Sequence, residues 1–149
     1  MIPAVLAALA LAAPCHTHGT APLTLPDNHC TKGAFAPLTK AQACAPKDRP
    51  TLPAAERRRI LTRYGINPAS WTGASGELDH RQPFWAGGLT TAANVWPERG
   101  GIPNAKDRLE DYTRRRVCKG LPHPMSLRTV HVIFAGNWLA YFRFYGLGA

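Results

Sequence analysis

The residue types best able to do chemistry in this chain fall in three short pieces. Asp79-His80 closes the run Glu77-Leu78-Asp79-His80 and sets a carboxylate beside an imidazole. Asn94-Val95-Trp96-Pro97-Glu98 adds an amide, and residues 104–118 read as a charged helix. A glycine pair, Gly87-Gly88, lies between the first two. An imidazole can take or give a proton near neutral pH, and carboxylates are hard ligands for divalent cations, so acid–base or metal-assisted hydrolysis is within reach of these types. The same Asp-His pair can also serve as a hydrogen-bonded strand end, and Asn94 can satisfy the backbone of a loop.

Elements must place these residues. Alternation along a short strand lets Leu78 point into a core while Glu77 and Asp79 point to the opposite face, with His80 closing the strand. The chain then loops through Gly87-Gly88 and returns at Asn94-Val95-Trp96, where Pro97 is expected to stop the second strand. Asn104 is a good helix N-cap, and Asp107 three residues later is close to a capping box. Ala105, Leu109, Tyr112 and Arg116 share one helical face, and Glu110–Arg114 and Asp111–Arg115 are i, i+4 acid-before-base pairs. The helix is predicted to end near Lys119-Gly120.

Flanking helices are expected on both sides. Residues 51–65 have Thr51 as a cap, Pro53 in the first turn and Gly65 as a left-handed stop, with Ile60, Leu61 and Tyr64 facing the core. Arg57-Arg58-Arg59 and Arg63 project elsewhere, either into solvent or toward phosphates. Trp71, in the loop that follows, reads as a core plug. Ser126 can cap a last helix whose apolar face is Val130, Ile133, Phe134, Trp138, Tyr141 and Phe142.

The 149 residues fit one domain able to bury roughly 70% of its unfolded surface. Lys+Arg of 18 against Asp+Glu of 9 gives a net charge of +9, which suits a polyanionic partner such as nucleic acid. No Cys-x-x-Cys pair occurs, so the four cysteines favour disulfides over structural zinc. Their three possible pairings stay open in the sequence, and Cys44 with Cys118, flanking the candidate site, is the first to test. The apolar run at the start is too short to span a bilayer and offers small-x-small cleavage sites, so residues 1–13 read as a secretory signal peptide. Residues 14–50, rich in Pro, Thr and Ala, read as an arm without regular elements, held down by Cys30 and Cys44; residues 51–149 form the main domain. His16 and His18 could bind a metal as an i, i+2 pair, though a flexible tail accounts for them as well. No other segment is a membrane-span candidate.

The order Asp79-His80, Pro83, Gly87-Gly88, Asn94, Trp96-Pro97-Glu98, Lys106-Asp107, Leu109-Glu110 and Val117-Cys118 resembles a family of small, mostly exported bacterial proteins related to His-Asn-His (HNH) nucleases. Cys30-Thr31-Lys32-Gly33, Arg49-Pro50, Tyr64-Gly65, Ser126-Leu127 and Trp138 extend the likeness over most of the chain. Where that family usually has Leu-Glu before the glycines this chain has Phe84-Trp85. Arg114 stands for a late-helix histidine and His131 for a glutamine.

The resemblance implies an α+β fold of ββα-metal type: a short β-hairpin plus a helix, supported by an N-terminal and a C-terminal helix. It implies metal-dependent phosphodiester hydrolysis of DNA or RNA, with His80 as general base and Asn94 holding it in position. Asp79 would ligate the metal, with Asn104, Asp107 or Glu110 supplying the helix ligand. Such oxygen donors favour Mg²⁺ or Mn²⁺. Lys106, Arg114, Arg115 and Arg116 are the candidates for contact with nucleic acid. Location would be secreted or periplasmic, and Cys30, Cys44 and Cys118 are the disulfide candidates. The alternative is a non-catalytic basic module of the cell envelope that holds nucleic acid or another polyanion.

Overall fold

The computed structural model describes residues 14–148, so the expected signal peptide lies outside the described residues. The fold is α+β. Its centre is an antiparallel hairpin of β3 (Gly76–His80) and β4 (Val95–Arg99), numbered after two short strands in the arm. The register pairs Glu77 with Glu98, Leu78 with Pro97, Asp79 with Trp96 and His80 with Val95. Pro97 therefore does not stop β4, as the sequence suggested, but sits inside it. A two-stranded sheet leaves every strand an edge, and an edge tolerates a residue without an amide hydrogen.

The site helix, α3 (Ala105–Lys119), starts and stops where its end signals place it. Asn104 accepts from the amides of Lys106 and Asp107, while Asp107 returns a bond to the Asn104 amide, completing a capping box. Gly120, at φ 69°, closes the helix in the left-handed region. The expected exposed pairs are not formed. Glu110 turns back one turn to Lys106, and neither Glu110–Arg114 nor Asp111–Arg115 bridges among the described residues. A buried ammonium recruits a carboxylate far more strongly than a solvated guanidinium does.

The N-terminal flanking helix is α2 (Ala54–Arg63), with Pro53 rather than Thr51 at its cap. The residue before a proline is pushed out of helical geometry, which moves the start past Thr51. Ile60, Leu61, Tyr64 and the plug Trp71 are buried as expected. The single C-terminal helix anticipated from Ser126 is two: α4 (Leu127–Ala135) and α5 (Trp138–Phe144). Gly136 leaves helical geometry at ψ −149°, and the Asn137 side chain then caps α5 by accepting from the Ala140 amide. The apolar face survives the break, because Val130, Ile133, Phe134, Trp138 and Phe142 are all buried in one cluster with Leu109 and Val117 of α3.

The arm holds more than the sequence suggested. It forms a hairpin of β1 (His18–Thr20) and β2 (Leu23–Leu25) and a helix, α1 (Lys40–Cys44), capped by Thr39 and Gln42. Such three- and five-residue elements are too short to show a period. Neither histidine of the early pair sits in a metal-ligand group among the described residues, and the His16 amide donates to Asp27.

Of the two disulfides, one fastens the arm to the main domain and the other closes a loop inside the arm, so Cys30 does not tie the arm down as the sequence suggested. Cys44–Cys118 joins α1 to α3, and Cys15–Cys30 ties the start of the described chain to the turn after β2. Their sequence separations of 74 and 15 predict unequal losses when each is replaced by a serine pair, about 4.5 and about 3 kcal/mol on the loop-entropy relation. Guanidinium unfolding of the two double variants should rank them in that order. The reverse order would mean that native contacts of the arm, not loop length, set the contribution.

Candidate active site at the hairpin

Strand alternation divides the hairpin chemically. Glu77, Asp79 and Glu98 share one face, their carboxylate oxygens within 4.8 Å of one another. The first turns of α3 close over this face. Lys106, with no side-chain exposure, places its ammonium 2.5 Å from Asp79 Oδ2 and also bonds Glu110. Arg49, from the arm, donates to Asp79 Oδ1 at 2.9 Å and approaches Glu77 at 3.7 Å. Asn104 donates its side-chain amide to Glu77 Oε1 at 3.3 Å.

Four carboxylates thus face two cations, and burial makes the surplus costly. Burial, then the neighbouring Asp79 and Asp107, raise the pKa of Glu77 to about 7. Burial raises Glu110 to about 7 against the pull of Lys106. For Asp79, burial works upward, yet the Lys106 and Arg49 charges hold its pKa below the ordinary carboxylate value. Burial and the Asp79 charge push Glu98 far upward. Ionised Glu98, 1% exposed, has no hydrogen-bond donor for either oxygen; protonated, it can donate to Asp79.

His80 lies on the opposite face, with Leu78 and Val95. Its Nε2 is 2.9 Å from Thr90 Oγ1, and Nδ1 is buried without a partner. Burial lowers its pKa to about 4 despite the nearby Asp79 charge, so the ring is neutral at pH 7. The ring borders a cleft of about 430 Å³ shared with Arg49, Arg57, Glu77, Trp71 and Thr90. Glu77 and Arg49 reach both the acidic face and this cleft, so they connect the two halves of the site.

Asn94 holds the loop between the strands. Its Oδ1 accepts from the Gln82 amide at 2.7 Å, and its Nδ2 donates to the Gln82 and Leu89 carbonyls at 3.1 and 3.0 Å. Gly88 is what lets the backbone close so tightly: a Cβ there would overlap the Gln82 carbonyl oxygen and crowd the Asn94 amide. Asn94 therefore acts through residues 81–82 and makes no hydrogen bond to the His80 ring.

The remaining candidates fall apart into different roles. Asn104 Oδ1 and Asp107 Oδ2 are engaged in the α3 cap, and the carboxylates grouped with Asp79 are Glu77 and Glu98. Lys106 is fully buried and unavailable to nucleic acid. Arg116 is half-buried over the Tyr112 and Tyr145 rings and donates to the His123 carbonyl, pinning the loop after α3. Arg114 and Arg115 are exposed and, with Arg108 and Lys119, border a cleft of about 530 Å³ floored by the Cys44–Cys118 bridge. Of the earlier arginines, Arg57 and Arg63 donate to the Trp71 and Ala92 carbonyls, and Arg58 and Arg59 are exposed.

Glu98 and Glu77 were readable in principle. Alternation puts Glu77 with Asp79, and extending β4 past Pro97 brings Glu98 opposite Glu77. Arg49, 28 residues before Glu77, carries no such signal. No protein-family model, no curated protein and no solved structure matches the chain.

Proposed function

We propose that the chain hydrolyses phosphodiester bonds of DNA or RNA with little sequence preference, using His80 as the general base. The observation that carries this is the His80 ring bordering a cleft that also holds two guanidiniums, Arg49 and Arg57, and the Glu77 carboxylate. Arg49 and Arg57 offer charge-assisted contacts to a phosphate. Nδ1 is buried, so Nε2, which shares a hydrogen bond with the Thr90 hydroxyl at the cleft, is the nitrogen that would take a proton from water. Arg114, Arg115, Arg108 and Lys119 extend the positive surface for backbone contacts that carry affinity rather than sequence information.

The acidic face fits a hard divalent ion. Its donors are all oxygen, and buried Glu98 has two without partners. Glu77, Asp79 and Glu98 would hold Mg²⁺ or Mn²⁺, and the bound ion would supply stabilisation of charge on the phosphate and leaving oxygen.

A specific observation favours a second reading. Lys106 already neutralises Asp79 from within, as a resident cation would. On that reading the chain binds nucleic acid or an envelope polyanion without cutting it. Supercoiled plasmid incubated with the chain and Mg²⁺ or Mn²⁺ decides between them. The proposal expects nicking that EDTA stops and His80→Ala removes. Salt-sensitive binding with no nicking supports the second reading and overturns the first.

A further inference from the structure

A separate cleft, of about 550 Å³, opens beside Gln82, two residues along the chain from His80. Its walls carry Phe35, which is 42% exposed, His131, and Val132, which is 56% exposed. The Phe35 and His131 rings stack at 3.8 Å with only 16° between their planes. Lys32 and Arg128, both exposed, are the charged residues at its border, and no acid lines it. An apolar stacking platform edged only by cations matches a flat aromatic ligand that carries negative charge.

We propose that this cleft is a nucleobase-stacking subsite, taking one base of a single-stranded segment. The proposal rests on the nucleic-acid reading above and names the form of substrate. His80 and Gln82, which line the two clefts, lie two residues apart on one short segment of chain. Bases in a duplex are stacked and paired on both sides. Only an unpaired base can add itself to the Phe35–His131 stack, and such stacking tolerates any base.

Hydrogen bonding fixes the platform. Gln82 donates its side-chain Nε2 to the His131 carbonyl at 3.0 Å, which fixes the amide orientation and turns Oε1 toward His131 Nδ1, also at 3.0 Å. An amide oxygen only accepts, so Nδ1 carries the hydrogen. Burial lowers the His131 pKa, keeping the ring neutral and leaving Nε2 an acceptor. That lone pair lies in the imidazole plane and points away from a base stacked on the ring's face, so the stack itself takes any base.

Fluorescence anisotropy of the full chain in EDTA tests this without any cleavage step. Labelled oligo-dA, oligo-dC and oligo-dT of about 12 nucleotides, and the dA·dT duplex, serve as probes. Each single strand should bind more tightly than the duplex. Phe35→Ala should weaken single-strand binding at least about fivefold while leaving duplex binding and Tm unchanged, and Phe35→Trp should retain it. His131→Phe should keep the stack and with it the single-strand affinity. Unchanged single-strand affinity in Phe35→Ala, or equal affinity for duplex and single strand in the wild type, overturns the subsite. A chain that nicks plasmid without a Phe35 effect loses the subsite and keeps the hydrolytic reading. One that shows the effect but never nicks keeps the subsite and loses that reading.

Discussion

Replacing His80 with alanine should lower plasmid nicking by at least about 100-fold, the usual contribution of a positioned general base. The residue closes β3 beside the cleft, its ring is held neutral by burial, and Thr90 fixes one nitrogen. Because the ring is buried, its loss can also weaken the fold, so each variant's melting temperature is measured beside its rate. His80→Gln fills much of the same space and cannot act as a base at neutral pH. It should be as inactive as alanine and closer to wild type in Tm. Either variant retaining more than about a tenth of the wild-type rate while folded would remove His80 from the chemistry, since general bases contribute at least 100-fold.

Lys106→Met should cost about 3–5 kcal/mol in guanidinium unfolding at pH 7, the penalty for breaking a buried ion pair from one side. The methionine fills the volume but leaves Glu110, and one oxygen of Asp79, without their cation. The loss should depend on pH, and its sign follows from the carboxylates. Burial already raises the folded Glu110 pKa from 4.5 to about 7. A group raised in the folded state contributes stability that is full below its unfolded pKa and disappears as pH rises through the folded one. With Lys106 gone the folded value rises further, so the penalty should be smallest near pH 5 and grow through pH 8. Millimolar Mg²⁺ or Mn²⁺ should then raise the Tm of the variant more than that of the wild type. A variant as stable as the wild type at pH 8 would mean that the buried ammonium is no part of what holds the hairpin to α3.

Much of the frame was legible because the signals are local. Asn104 and Gly120 bracket α3 by cap chemistry, Ile60, Leu61 and Tyr64 mark the buried side of α2, and Asp79-His80 ends its strand as alternation requires. Errors gathered where tertiary context overrides local preference. Pro97 reads as a stop only if its strand has neighbours on both sides. Gly136-Asn137 splits an apolar face that stays continuous in space. Lys106 reads as a first-turn surface residue until the hairpin's carboxylates are folded against it. The partners of the site that come from far away, Arg49 and the Phe35–His131 platform, carry no local signal of what they touch; Arg49 and His131 entered only through the resemblance, without a role.

The Cys44–Cys118 bond pins the helix that carries Lys106 to a segment 74 residues earlier. Without that clasp the chain is the less stable form wherever thiols are kept reduced, and it gains the bridge only in an oxidising space. Should the proposed hydrolysis hold, such a dependence would favour the less stable form in a reducing compartment and the clasped form outside it.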